Sequence, residues 1–268
     1  MTARGDIRTG MGGWTFSPWR GGFYPKGLRQ ADELAYAARQ VQAIEINGTY
    51  RSLQKPETFA KWAAAAPDGF VFSLKASMFC TNRRVLGEMQ GVDRFFGQGL
   101  TELGDKLGPI LWQFMKTKAF EPEDFHAFLS QLPRTLDGLP LRHVMEPRHD
   151  SFRTPEFVDL CRGHGVAICL ADHETYPMIA DVSGGLVYAR LQRGEEQNDT
   201  AYEEPALEMW AARLDAFARG HSPDDLTVVA KTEASAPRDV FAFIITGGKL
   251  HAPAGAIALQ QTLEALKS

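Results

Sequence analysis

"AIEINGTYR" (residues 43–51) opens as a buried strand and then stops behaving as one. Ile44 and Ile46 alternate with Glu45 and Asn47, so the two-residue period of an extended chain puts two isoleucines on one face and an acid and an amide on the other. Gly48, Thr49, Tyr50 and Arg51 follow. A central strand is covered on both faces, and a covered face has no place for a lone carboxylate. What Glu45 faces therefore decides the fold.

Seven more runs share the character of this one. They are "DIRTGMGG" (6–13), "FVFSLKA" (70–76), "PILWQF" (109–114), "RHVMEP" (142–147), "VAICLAD" (166–172), "GLVYARLQ" (185–192) and "VFAFIITGG" (240–248). Between them the periodicity predicts helices over 30–40, 56–65, 92–106, 122–132, 155–163, 205–218 and 253–266, most of them starting at or beside proline, which suits a first helical turn. The connection 173–184 is too short for a full helix, and 224–238 has room for an extra strand. Strands that alternate with helices pair in parallel through right-handed crossovers. Eight of them in 268 residues argue for one α/β domain over 1–268, a closed (β/α)₈ TIM-type barrel with an outer ring of helices, over an open doubly wound sheet.

Composition excludes several classes. Charged residues make up 23% and hydrophobic residues 44%, as in ordinary globular proteins. A net charge of −4 gives no reason to expect nucleic acid or a membrane surface as partner. No apolar run approaches the ~20 residues of a membrane span, and the start of the chain has no long apolar leader segment. Three cysteines, Cys80, Cys161 and Cys169, lack metal-ligand spacing and point to a reducing, cytoplasmic setting.

In a barrel the active site is built at the carboxyl ends of the strands. There the sequence places Glu45 and Asn47 on strand two, Lys75 on three, Gln113 on four and Glu146, Arg148 and His149 on five. Asp172 ends strand six, Arg190 strand seven, and Thr246 and His251 follow strand eight. Acids and bases so gathered are costly to bury unpaired, so they pair with one another, meet a ligand or stand in water. The chain has no phosphate-binding P-loop, no dinucleotide-binding glycine motif after the first strand, no nucleophile elbow and no HExxH zinc motif. No cofactor is expected. Glu45, Glu146, Asp172 and a histidine could collect a divalent metal, but Lys75, Arg148 and Arg190 would compete for the carboxylates, so no metal is expected either.

The segments "GGWTFSPWRGGFYP", "EINGTYR", "PETFAKWAAAAPDGFVFSLKA", "LGPILWQF", "MEPRHDSF", "VYARLQ" and "HAPAGA" occur in this order over nearly the whole chain. In this they resemble the YecE-like family, also called the domain of unknown function 72. The resemblance implies a TIM-type barrel with a site at its carboxyl end; it implies no reaction. The family's pattern falls on Trp14, Glu45, Asn47, Tyr50, Arg51, Lys75, Gln113, Glu146, Arg148, His149, Asp172, Tyr188, Arg190, His251 and Pro253. The sequence departs from it at Thr81-Asn82, at Leu191-Gln192-Arg193 and at Ile245-Thr246, where the family usually has Thr-His, Leu-His-Gly and paired asparagines.

Two functions fit these parts. One is an acid/base enzyme, hydrolase- or lyase-like, in which Glu45 or Glu146 moves a proton and Lys75 or Arg190 stabilises negative charge on a small polar or anionic substrate. Cleavage of a glycosidic or phosphoester bond would use such a set, with Asp172 as a further candidate. The other is a barrel that binds a ligand without turnover, which the three departures favour; a metal-dependent phosphoesterase or isomerase is a lesser alternative. Structural roles compete with each assignment: a Glu45–Lys75 ion pair at the mouth, and an Asx turn at Asp172. The aromatics Trp14, Phe16, Trp19, Phe23 and Tyr24 are expected as a loop packed over the barrel, and Trp62, Trp112 and Trp210 as core. The loops after strands seven and eight, with Arg190, Gln192, Arg193, Gly194, Gly247, Gly248, Lys249 and His251, have the composition of a phosphate-type anion site.

Overall fold

A computed structural model describes residues 4–88, 90–230 and 236–266. Eight parallel strands close into a barrel: β1 (Ile7–Gly12), β2 (Ala43–Ile46), β3 (Val71–Lys75), β4 (Leu107–Gln113), β5 (His143–Glu146), β6 (Ala167–Asp172), β7 (Leu186–Leu191) and β8 (Asp239–Ile244). Closure is made by β1 against β8, from Ile7 opposite Val240 to Met11 opposite Ile244. Each strand otherwise pairs with its neighbours in sequence, as right-handed crossovers require.

The outer layer contains α1 (Glu33–Ala37), α2 (Gly48–Arg51), α3 (Pro56–Ala65), α4 (Met78–Thr81), α5 (Gln90–Phe96), α6 (Pro122–Gln131), α7 (Pro155–His164), α8 (Glu204–Ala218) and α9 (Ala252–Ala265). Proline at the first or second position starts α3, α6, α7, α8 and α9, where its missing N–H costs nothing. Thr154 caps α7 by accepting from Phe157 N at 3.3 Å, and Gly165 ends it with φ +67°. No described helix is long and apolar enough to cross a membrane.

The helix expected over 92–106 is broken. α5 stops at Phe96, Gly99 takes φ +86°, and a 3₁₀ stretch runs from Leu100 to Lys106. The first expected helix is also shorter than its pattern, a 3₁₀ turn at Gln30–Asp32 followed by α1. A two-stranded antiparallel ribbon, Thr135–Leu136 with Leu139–Pro140, was not anticipated by the periodicity. No extra strand forms in 224–230 or 236–238; residues 231–235 of that expectation lie outside the described residues. The helix-free connection between β6 and β7 is held instead by Asp181, whose carboxylate accepts from Val229 N and Ala230 N, both at 2.8 Å.

Two apolar clusters divide the molecule. The inner one fills the barrel with Ala43, Val71, Leu111, Val144, Ala167, Cys169, Tyr188, Phe241 and Phe243, among others. The outer one joins strands to helices and includes Ile44, Ile46, Leu74, Ile168, Leu170 and Leu191. Alternation along each strand sorts the side chains between the two. Ile44 and Ile46 face the helices, so Glu45, with Ala43, faces the barrel axis.

Candidate functional site at the carboxyl end of the barrel

The inward parity that turns Glu45 to the axis also collects Lys75 (with Val71), Gln113 (with Leu111), Glu146 (with Val144) and Arg190 (with Tyr188). Register puts Gln113 opposite Glu146 and Gly12 opposite Glu45. The first question of the sequence has its answer in Arg190. Its Nε and Nη2 donate to the two oxygens of Glu45 at 2.9 and 3.0 Å, a bidentate pair, and its Nη1 donates to Glu146 Oε1 at 2.6 Å. All three side chains are 2% exposed or less. Tyr188 adds a hydroxyl to Glu45 Oε2 at 2.8 Å and is itself 2.7 Å from Ser73 Oγ. Glu146 also accepts from Arg148 Nη2 at 3.2 and 3.4 Å, and the same nitrogen donates to Gln113 Oε1.

These contacts set the protonation states. Burial pushes the Glu146 carboxyl up, but Arg190, then Arg148 and Lys75, outweigh it and hold the group below its ordinary range. Burial disfavours charge on Arg190 too, yet Glu146 and Glu45 hold its proton more firmly than in water. Glu146 is therefore a poor proton donor near neutrality. The expected Glu45–Lys75 ion pair is absent because Arg190 takes both oxygens of Glu45.

Above this floor opens a cavity of about 660 Å³ lined by Gly12, Gly13, Trp14, Thr15, Ile46, Asn47, Gly48, Gln54, Trp62, Lys75, Gln113, Arg148, His173, Tyr176, Arg190, Gln192, Ile245, Thr246 and Lys249. That volume suits a small-molecule ligand. Four cationic side chains, Lys75, Arg148, Arg190 and Lys249, border it against the two carboxylates below.

Lys75 is the exception among the buried charges. It is 8% exposed, and its ammonium makes no hydrogen bond or ion pair among the described residues; it lies 4.1 Å from the centre of the Tyr50 ring. Burial, then the neighbouring Arg190, lowers it from 10.5 to about 8, with Glu45 and Glu146 only partly offsetting them. Tyr50 is placed by α2, whose Thr49 ties β2 to β3 by donating to Lys75 O at 2.7 Å. Asn82, one of the departures from the family pattern, donates to Tyr50 Oη at 3.4 Å.

Other expected site residues stand elsewhere. Asp172 does not line the cavity. It shares its face with Ile168 and Leu170 and lies opposite Leu191, so parity turns it to the helical layer, where it accepts from Tyr202 Oη at 2.9 Å. His149 accepts from Ser151 N at 3.2 Å and caps a 3₁₀ turn. Arg51 is exposed on α2, and Tyr188 lies beneath the floor. Gly247 and Gly248 do not line the cavity; they sit close against the loop after β7. A Cβ on Gly247, which has φ +74°, would stand 1.8 Å from Gly194 O, and one on Gly248 would stand 2.6 Å from Glu195 O. The glycines let the loops after β7 and β8 pack together. The N–H groups of Lys249 and His251 bond within that turn, and His251 stays outside the cavity.

Several lining residues were missed. Trp62, expected in the core, meets Trp14 edge to face at 5.3 Å on the cavity wall. Trp19 and Tyr24 are buried as the packed loop expected, with Tyr24 Oη donating to Trp14 O. His173 and Tyr176 stack at 3.6 Å, and Arg148 lies 4.4 Å from the Tyr176 ring. Gln192 and Thr246, which the sequence did place at the ends of strands seven and eight and which are both departures from the family pattern, line the cavity as well. No cluster of three or more His, Cys, Asp or Glu side chains able to hold a metal forms among the described residues, since Arg190 occupies Glu45 and Glu146 while Asp172 faces outward.

A family model described as "Protein of unknown function DUF72" matches residues 8–267. A solved DUF72 protein from Thermotoga maritima MSB8 is similar over 97% of this chain and 99% of its own, with 20% identity and a TM-score of 0.72. A second, from Enterococcus faecalis V583, is similar over 96% of this chain and 95% of its own, with 18% identity and a TM-score of 0.69. These likenesses carry the fold. No match was found among curated proteins. With its matched span running from β1 to the end of α9, the chain belongs to the DUF72 family, also known as YecE-like.

Proposed function

We propose that this barrel is an acid/base enzyme acting on a small anionic molecule, with Lys75 as the proton-transferring group. The observation that carries this reading is Lys75 itself, a buried ammonium on a cavity wall with no acceptor among the described residues. A base poised near the working pH is the most effective kind, and its lowered value of about 8 leaves a share of Lys75 neutral at pH 7. Arg148 and Lys249 supply the charge that attracts an anion, and Trp14 and Trp62 give an apolar wall. Glu45 and Glu146 serve as counter-ions that fix Arg190, so the catalytic roles first considered for them move to Lys75. Asp172 has no part in the chemistry. Three buried free cysteines support a cytoplasmic setting.

The test is a thermal-shift screen with phosphate, malonate, citrate and sugar phosphates, followed by turnover assays on whichever anion binds. Binding should raise the Tm of the wild type and weaken at least 10-fold in R148M. The kcat/KM profile should rise with an inflection near pH 8, and K75M should remove turnover. Activity that survives in K75M, or no stabilisation by any anion, overturns the reading. A non-catalytic ligand-binding barrel is the second reading, favoured by the saturation of both buried carboxylates; there an anion binds and nothing turns over.

A further inference from the structure

Arg190 and Arg148 at the barrel mouth have carboxylate or amide partners, and Lys75 has none among the described residues. Glu45 on β2 and Glu146 on β5 are close enough to act on it electrostatically, but their oxygens are taken by Arg190 on β7 and Arg148 beyond β5. The same two guanidiniums repel an ammonium at Lys75. The Tyr50 ring on α2 supports the side chain without accepting a conventional hydrogen bond from it. A lysine desolvated and set beside other cations is the arrangement that activates an amine as a nucleophile.

A second, independent feature faces the same cavity. Gln192 is 8% exposed and its Nε2 has no hydrogen-bond partner among the described residues. Its Oε1 accepts from Arg190 Nη1 at 3.5 Å, which leaves the NH₂ as the free end of the amide. A buried donor without an acceptor is destabilising, so a ligand that supplies a polar oxygen removes a penalty already present in the fold. His173 has a related property. Its Nδ1 accepts from Thr175 N at 3.1 Å, so its proton is on Nε2, and burial followed by Arg148 lowers it, keeping the ring neutral at pH 7.

We propose that Lys75 is a covalent nucleophile, forming an imine with a small aldehyde or ketone that also carries a carboxylate or phosphate, with Gln192 Nε2 donating to the carbonyl oxygen. This deepens the acid/base reading above and rests on it for the anionic ligand. The neutral amine nitrogen attacks the carbonyl carbon and gives a carbinolamine. The nitrogen then loses its second proton while the carbinolamine hydroxyl departs as water, and the C=N bond forms. Protonated by the medium, the imine becomes an iminium that draws electrons from the neighbouring carbon, which is the basis of a lyase step. Arg148 and Lys249 hold the anionic end. No redox change occurs, and hydrolysis by water returns the amine.

The experiment is reductive trapping on the intact protein. Wild type is incubated with glyoxylate, pyruvate or glycolaldehyde phosphate and sodium cyanoborohydride, which reduces C=N to a stable secondary amine; adducts are located by intact mass and peptide mapping. The expected result is one adduct, on Lys75, with at least one probe, labelled 10-fold or more faster than any surface lysine and faster at pH 8.5 than at pH 7. K75R keeps the charge and should fold, with a Tm within a few degrees of wild type, yet give no fast adduct; Q192L should slow trapping about 10-fold. Labelling spread over surface lysines, or a fast adduct that persists in K75R, overturns the proposal. If none of the probes labels Lys75 while phosphate or malonate still raises Tm, the imine is refuted and the acid/base reading stands. If no anion raises Tm and Lys75 is inert, both fall.

Discussion

Arg190 and Lys75 point into the same barrel from strands on opposite sides of it, and the protein treats them in opposite ways. Arg190 donates from three nitrogens to two carboxylates, and its neighbours exist largely to receive it. Lys75 is buried almost as deeply, 8% exposed against 2%, and among the described residues it meets the face of a tyrosine and no hydrogen-bond acceptor. A fixed guanidinium with saturated partners gives a rigid, charge-balanced floor; an unpaired ammonium gives a reactive group held at a standing cost in stability. The pairing of the first makes the exposure of the second to a ligand possible, because it removes the carboxylates that Lys75 would otherwise bond.

The sharpest way to break this contrast is to remove Arg190. In R190M, Glu45 and Glu146 keep Tyr188 and Arg148 but lose the cation between them. Unpairing a buried charge costs about 3–5 kcal/mol. Urea unfolding should show a loss of that size; a loss under about 1 kcal/mol would mean that water or Lys75 replaces the guanidinium and the floor is not rigid. The same variant should raise the Lys75 value, since Arg190 is its second-largest source of depression.

Much of this contrast was legible in the sequence. Period two in "AIEIN" and "VYARLQ" set Glu45 and Arg190 on inward faces, and the barrel made those faces converge. The same rule, applied strictly, would have placed Asp172 correctly, because "VAICLAD" alternates large Val166, Ile168 and Leu170 with small Ala167, Cys169 and Ala171, and Asp172 falls with the large set. Parity, not position at the strand end, decides which layer a side chain enters. What the sequence did not reveal is pairing across the barrel. Glu45 and Arg190 are 145 residues apart, and nothing local says that Glu45 meets Arg190 rather than Lys75. The helix over 92–106 failed for a local reason: Gly97 and Gly99 flank Gln98, whose side chain donates to Phe95 O and accepts from Gln54 N, ending the helix from its own C-terminus.

The next effect is smaller and opposite in sign. Lys75 titrates at about 8 in the fold and near 10.5 when unfolded. Between those values the unfolded chain binds more protons, so wild-type stability rises with pH across that window, and below it the charged form is carried at full cost. K75M removes that cost and should be more stable at pH 7 by about 3 kcal/mol at most, with the advantage shrinking as pH rises from 8 towards 10.5. Calorimetry across pH 6 to 10 measures this directly. A destabilised K75M, or a difference that ignores pH, would mean that Lys75 has a structural partner and that its contrast with Arg190 is false.

The smallest effect separates Asp172 from the site. Its carboxyl is raised by burial, with the Tyr202 hydrogen bond pulling it partly back down, and it lies among helix-facing residues. Tyr202 Oη also accepts from Arg193 N at 2.8 Å, so one hydroxyl satisfies an acid and a backbone donor. Y202F removes both contacts and should cost about 1–3 kcal/mol. The sign with pH follows from the raised value. The folded protein binds the Asp172 proton more readily than the unfolded chain does, so stability falls as pH rises through the interval between the two values. Without Tyr202 the folded value climbs further, and the Y202F deficit should therefore be greatest near neutrality and narrow in acid. Anion-induced stabilisation and trapping at Lys75 should be unchanged, because neither Asp172 nor Tyr202 borders the cavity. If Y202F instead loses ligand binding in step with stability, Asp172 acts on the site through the loop after β7, and the division between inner chemistry and outer support at this strand end would have to be redrawn.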